Sequence, residues 1–228
     1  MRGELHFGVF ATLAPAFAPA ILRDFADAHP AVAVRIREGN LEQLRGDLAN
    51  GAIELALLYD LDMGDEINRV VIGEFMPYVA LPARHPLARL PAISLSDLVR
   101  ETFVLIDLPG SREHFLSMFR VLRTMPAKII RCSSLEMVRG MVANGHGIAI
   151  LVTRPSGDRS YDGKRLACRP LVEPVPPQNV VIASAAGTPQ SRIARSFIET
   201  SRRFVARSAV LRSTCTQRRT RSQHRKIG

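Results

Sequence analysis

Apolar runs of strand length alternate with amphipathic runs of helix length along nearly the whole of this chain, and that alternation admits few folds. Leu5–Val9 reads as a strand. Leu13–Ala28 reads as a helix, with Leu13, Phe17, Ile21 and Phe25 on one face. Val32–Arg37 alternates apolar and polar residues as a strand does. Leu41–Asn50 repeats Leu41, Leu44 and Leu48 at helical spacing, and Gly51 stops it. Ile53–Tyr59 reads as a strand buried on both faces, and Val70–Met76 as another. A βαβαβ order implies a parallel sheet with helices on its faces.

The pattern then recurs. Tyr78–Leu81, Phe103–Ile106, Ala127–Arg131, Gly147–Val152 and Leu166–Leu171 read as strands. Ser94–Leu98, Ser111–Leu122 and Ser134–Ala143 read as helices, the first capped by Ser94 with Asp97 in its first turn. Gly145 and Gly147 mark a helix stop followed by a strand rather than a nucleotide loop. A last strand, Val180–Ala183, and a helix, Gln190–Val205, close the fold as remainders of the first unit. The economical account is α/β: residues 1–76 and 175–206 form lobe I, and residues 77–174 form lobe II. The Pro-rich stretch Pro170–Gln178 is the stiff return path. Two crossovers make a hinge, and the cleft between the lobes, at the carboxyl ends of the strands, is the default binding site.

Charge says little against this. Seven of the 31 basic residues lie in residues 207–228, which hold no acid. The first 206 residues carry 24 basic and 21 acidic side chains, so the formal charge of +10 belongs mostly to the end of the chain. Residues 207–228 read as a disordered basic tail. Contact with nucleic acid phosphates and a reading-frame artefact remain open beside that. The segment has no aromatic residue for stacking on bases. Three cysteines, Cys132, Cys168 and Cys215, have no C-x-x-C spacing, and the six histidines form no H-x-x-x-H pair, so neither metal nor disulfide framework is expected. There is no G-x-S-x-G, no P-loop and no G-x-G-x-x-G, hence no expected cofactor and no enzyme. No stretch approaches the ~18–20 apolar residues of a membrane helix, and Met1–Phe10 is not a signal peptide, so a cytoplasmic protein is expected.

Four stretches, in order, resemble the effector-binding domain of LysR-type transcriptional regulators. The opening LHFGVFATLAPAFAPAILRDFADAHPAVAVRIREGNLEQLRGDLANGAIELALLYD has that domain's strand, small-residue loop with Thr, and helix ending in F-x-x-x-x-P. It continues into a G-x-I-E-L-A-L strand. VALPARHPLA, Ser94-Leu95-Ser96-Asp97-Leu98 and CSSLEMVRGMVANGHGIAIL follow at the family's spacing, and the likeness runs from about Gly3 to Val205. The resemblance implies two Rossmann-like lobes joined by two crossover strands, a type 2 periplasmic-binding-protein-like fold. It also implies a small-molecule effector in the inter-lobe cleft and assembly into homo-dimers or tetramers. Such regulators carry a winged helix-turn-helix and a linker helix ahead of this point. DNA contact is therefore expected only through a DNA-binding domain absent from this chain. The alternative is a stand-alone solute-binding protein of the same fold.

Candidate ligand-binding residues follow from strand ends and helix starts. Phe10, Ala11 and Thr12 form the loop after the first strand, with Thr12 as N-cap of the first helix. The resemblance places this loop in the effector cleft. Ser133 and Glu136 read as a capping box, with Ser134 beside it. Two helix N-termini facing one cavity suit a small carboxylate or another anion. Tyr59 and Asp60 end the third strand, Ser111 opens a helix in lobe II, and Thr153 with Arg154 lies at the expected cleft floor. Arg112 is a further candidate for an effector carboxylate.

Overall fold

A computed structural model describes residues 1–207 apart from Asp62, Val121 and Pro155. The expectation of a disordered tail falls on residues 208–228, outside the described residues. The preceding Arg207 closes the last helix and pairs with Asp24 at 2.5 Å.

The first half of the molecule contains β1 (Gly3–Phe10), α1 (Ala14–Ala28), β2 (Val32–Gly39), α2 (Leu41–Ala49), β3 (Leu55–Tyr59) and β4 (Ile67–Phe75). The chain then builds β5 (Tyr78–Pro82), α3 (Leu95–Leu98), β6 (Thr102–Ile106), α4 (Ser111–Arg120), β7 (Lys128–Cys132), α5 (Leu135–Ala143), β8 (Ala149–Leu151) and β9 (Leu166–Pro170). It returns to the first sheet as β10 (Gln178–Ala185) and ends in α6 (Arg192–Arg207).

The first sheet has the order β2-β1-β3-β10-β4. Strands β1, β2 and β3 are parallel, as the βαβ units require. The fourth strand does not sit beside the third. Strand β10 lies between them, antiparallel to both, with Val180 opposite Tyr59 and Ile182 opposite Leu57. The expectation of a simple parallel sheet with a remainder strand is corrected here. Val180–Ala183 is a continuous apolar run, all of it buried, which is what a central strand covered on both faces needs. Helices α1 and α6 pack together over this sheet. Phe197 lies 4.6 Å from Phe7 and 5.0 Å from Phe25 between ring centroids, and Phe17 lies 5.5 Å from Phe75.

The second lobe is built on β8-β5-β9 and β6-β7. A backbone bridge at Ile148 joins the two, with Val104 N–H donating to Ile148 at 2.7 Å and Ile148 N–H to Thr102 at 2.9 Å. Gly147 permits this approach. Its φ is +157°, and a Cβ there would stand 2.2 Å from the Thr102 carbonyl oxygen. The predicted helix stop holds as well: Gly145, at φ +83°, follows the end of α5, and its N–H returns to Val142 at 2.9 Å. Ser94 and Asp97 form the capping box of α3. The Glu173 carboxylate, arriving on the return crossover, accepts from Ser94 Oγ at 2.6 Å and from Leu95 N–H at 3.0 Å, which ties that crossover to lobe II.

Candidate functional site

Strand ends and helix starts from both lobes meet in two connected spaces. The outer one is an open cleft of about 840 Å³. From lobe I it takes Ala11, Thr12, Pro15, Ala16 and Glu38. From lobe II it takes Ser133, Ser134, Leu135, Glu136, Arg139, Thr153, Arg154, Arg159, Ser160 and Tyr161. The inner one is a tighter cavity of about 20 Å³, reached by Thr12, Tyr59, Leu61 and Gln178 from lobe I and by Ile106, Ser111, His114, Phe115, Leu135, Leu151, Val152 and Thr153 from lobe II. Thr12, Leu135 and Thr153 border both, so the cavity is the inner end of the cleft.

The structure thus brings seven of the nine predicted site residues to these walls: Ala11, Thr12, Tyr59, Ser111, Ser133, Ser134 and Thr153. The other two lie elsewhere. Phe10 is a core residue behind the loop, stacked edge-on against Tyr59 with centroids 5.7 Å apart. Asp60 pairs with Arg69 at 3.5 Å.

Local roles differ from the sequence reading at three places. The N-cap of α1 is Leu13, with helical backbone angles and no side-chain cap, so Thr12 does not cap it. Thr12 is instead buried; its Oγ1 lies near enough to the Tyr59 hydroxyl to favour the ionised phenol, yet makes no hydrogen bond of good geometry among the described residues. The Ser133–Glu136 capping box does not form. Ser134 is the N-cap of α5 and accepts from Met137 N–H at 3.4 Å, because Glu136 turns to Arg139 instead. Ser111 opens α4 as expected, and the Glu113 carboxylate accepts from Gly110 N–H at 2.9 Å. Arg112 is held by Asp107 at 2.9 Å and by Glu113 at 2.8 Å, which keeps its guanidinium out of the cleft.

Three side chains that the sequence reading passed over shape the site. Arg139 is buried on the inner face of α5. It donates to the Thr153 backbone oxygen, to Thr153 Oγ1 at 3.3 Å and to Glu136, yet its Nε has no partner among the described residues. Gln178 is buried at the start of β10, and its Oε1 is unpartnered among the described residues. The same is true of His114 Nε2 on α4. Each was visible as a polar residue on an apolar stripe: Arg139 next to Val138 and Val142, His114 next to Phe115 and Met118, and Gln178 at the head of a buried strand.

The electrostatics of the two spaces differ. The outer cleft holds three guanidiniums against the carboxylates of Glu38 and Glu136. Arg154 makes two hydrogen bonds to Asp158, at 2.7 and 2.6 Å, which raise its pKa further and hold the Asp158 carboxyl below the usual range. The inner cavity is uncharged. Burial pushes the Tyr59 phenol up to about 12, outweighing the influence of Thr12, Thr153 and Arg139, and burial lowers the pKa of His114. Among the described residues no group of three His, Cys, Asp or Glu side chains is arranged to hold a metal ion. No helix there is long and apolar enough to cross a membrane.

Two α/β lobes joined by two crossovers, with a cleft between them that mixes charged, hydroxyl and apolar side chains, define a ligand-binding domain of the periplasmic-binding-protein type. The chain belongs to the LysR substrate binding domain family, which it matches over residues 1–206. It is 32% identical over 195 residues to the HTH-type transcriptional regulator CfxR of Cupriavidus necator, covering 84% of this chain and 56% of that protein. It superimposes with a TM-score of 0.84 on HinK, a LysR family transcriptional regulator from Pseudomonas aeruginosa. There the identity is 35%, with 90% of this chain and 71% of that one covered. The C-terminal domain of a probable LysR family regulator from Rhodococcus sp. RHA1 matches with a TM-score of 0.84 and 33% identity, over 90% of this chain and 100% of that domain. The chain therefore spans little more than half the length of the regulator CfxR, and its residues 1–206 match the substrate binding domain of the family.

Proposed function

We propose that this domain senses a small anion, a carboxylate above all, for a cytoplasmic transcription regulator. The ligand occupies the inter-lobe cleft, favours one lobe arrangement by its differential affinity, and passes that bias through a homo-dimer or tetramer to a DNA-binding domain. The role is binding, not catalysis, in keeping with relatives that are transcriptional regulators. The observation that carries the reading is the cleft wall. The first residues of α1 and of α5 face one space from opposite lobes, and the buried Arg139 lies beside them. Helix N-termini carry partial positive charge, and the guanidiniums of Arg139, Arg154 and Arg159 outnumber the carboxylates of Glu38 and Glu136 on the lining, so the cleft favours negative charge.

A thermal-shift screen of the protein against small aliphatic and aromatic carboxylates, with amines as the contrasting set, tests this. A ligand at ~100 times its Kd adds ~2.7 kcal/mol of stability, a shift of several degrees for a domain of this size. Stabilisation by acids, lost in the Thr12→Ala/Ser133→Ala double variant, supports the cleft as an anion sensor. Stabilisation by amines alone, or by acids equally in the double variant, rejects it.

A further inference from the structure

Three of the unpartnered buried polar atoms face a single small volume. They are Thr12 Oγ1, His114 Nε2 and Gln178 Oε1, on three residues that line the inner cavity, and none makes a hydrogen bond of good geometry among the described residues. Thr12 and Gln178 are 93% and 96% buried, the complements of their 7% and 4% exposures. An unsatisfied buried polar atom costs about 1–3 kcal/mol, so three on the lining of one small cavity make it a place where a bound group can complete them.

The size and charge of the cavity limit that group. A volume of about 20 Å³ holds one oxygen-centred group and no ring. The neutral Tyr59 and His114 offer no counter-charge there, and a carboxylate placed in it would be desolvated without compensation. Gln178 Oε1 accepts only, so the group must donate. Thr12 Oγ1 can donate back to it. A hydroxyl meets all three demands.

We propose that the effector is a hydroxylated carboxylate, with its hydroxyl seated among Gln178, Thr12 and His114 and its carboxylate in the outer cleft beside Arg139. This rests on the anion-sensing reading and adds the buried head group. The two spaces share Thr12, Leu135 and Thr153, so one small molecule spans both. Sites built to hydrogen-bond a hydroxyl discriminate strongly against the analogue lacking it, because the site's own polar atoms are left unpaired.

The test is titration calorimetry of the full chain with matched acids: lactate against propionate, 3-hydroxybutyrate against butyrate, and 3- and 4-hydroxybenzoate against benzoate. At least one hydroxylated acid is expected to bind about tenfold or more tighter than its partner. In Gln178→Leu that ratio should fall to near one, and in Thr12→Val it should fall part of the way, with each variant's thermal transition confirming that it folds. Equal affinities within every pair overturn the hydroxyl assignment while leaving the anion sensor standing. A ratio that survives Gln178→Leu in a folded protein overturns it too. No binding by any acid overturns both readings.

Discussion

The Tyr78 hydroxyl donates to the backbone carbonyl oxygen of Thr153 at 3.0 Å, and the Arg139 guanidinium donates to the same oxygen. Tyr78 opens β5, Arg139 sits on α5 and Thr153 follows β8, so one acceptor ties a strand, a helix and the cleft floor together. The Tyr78 phenol is driven far above its usual pKa by burial, which keeps its proton in place for the bond.

Because either donor alone can satisfy that oxygen, their losses should not add. Tyr78→Phe is expected to lower stability by about 0.5–1.5 kcal/mol. Arg139→Met should be similarly mild, since it also removes the unpartnered Nε and leaves Glu136 at a partly open surface. The double variant leaves a buried carbonyl unpaired and should exceed the sum of the two by about 1–3 kcal/mol. Urea denaturation of the four proteins measures the excess; simple additivity would show that the shared acceptor is unimportant.

Gly147→Ala should be the most damaging small change in lobe II. Its Cβ would meet the Thr102 carbonyl oxygen at 2.2 Å, and backbone cannot swing aside as a side-chain tip can. The strained backbone alone accounts for about 1–3 kcal/mol. Gly145→Ala, with nothing within 4 Å of its added methyl, should suffer only the positive-φ penalty of about 1–2 kcal/mol. Chemical denaturation of the pair separates clash from conformation, and equal effects would refute the close approach.

Stability should fall on mild acidification through His114. Burial depresses its pKa below the ordinary 6.5, so the unfolded chain takes up the proton first. Between the two pKa values the unfolded state binds more protons, and stability therefore rises with pH. The contribution is complete above 6.5 and is lost as the pH drops below it. In His114→Gln the slope of stability against pH just below 6.5 should flatten. An unchanged slope would place His114 in water when the protein is folded.

Cys132 and Cys168 should resist thiol reagents in the folded protein. Both are buried, and burial raises both pKa values, that of Cys168 to about 12 with help from the neighbouring Asp158 carboxylate. The thiolate is the reactive form, so labelling near neutral pH should await unfolding. Mass spectrometry after iodoacetamide treatment, with and without denaturant, tests this; rapid native labelling of Cys168 would contradict its burial.

Much of this was legible in the sequence because it depends on spacing. Phe17, Ile21 and Phe25 recur with helical period and are buried together on α1. Loop residues such as Thr12 and Thr153 could be placed because strands of an α/β sheet end at its cleft. The pairing partner of β10 is not a periodic property. Its all-apolar run announces a central strand but not which neighbours it takes. The orphaned atoms of Gln178 and His114 were hidden for a different reason. Whether a buried polar atom is satisfied depends on what distant segments bring to it, and none of the described ones brings a partner to either.

The position of β10 also dictates an order of assembly. Strand β3, every residue of which is buried, must wait for Val180 to pair with Tyr59, 121 residues later. At ribosomal rates that interval lasts on the order of ten seconds. Lobe II is fully synthesised within it, whereas lobe I stands with its most apolar strand exposed along one edge. The second lobe is therefore the natural first folding unit, and the interval before β10 emerges is when the nascent chain is most open to aggregation.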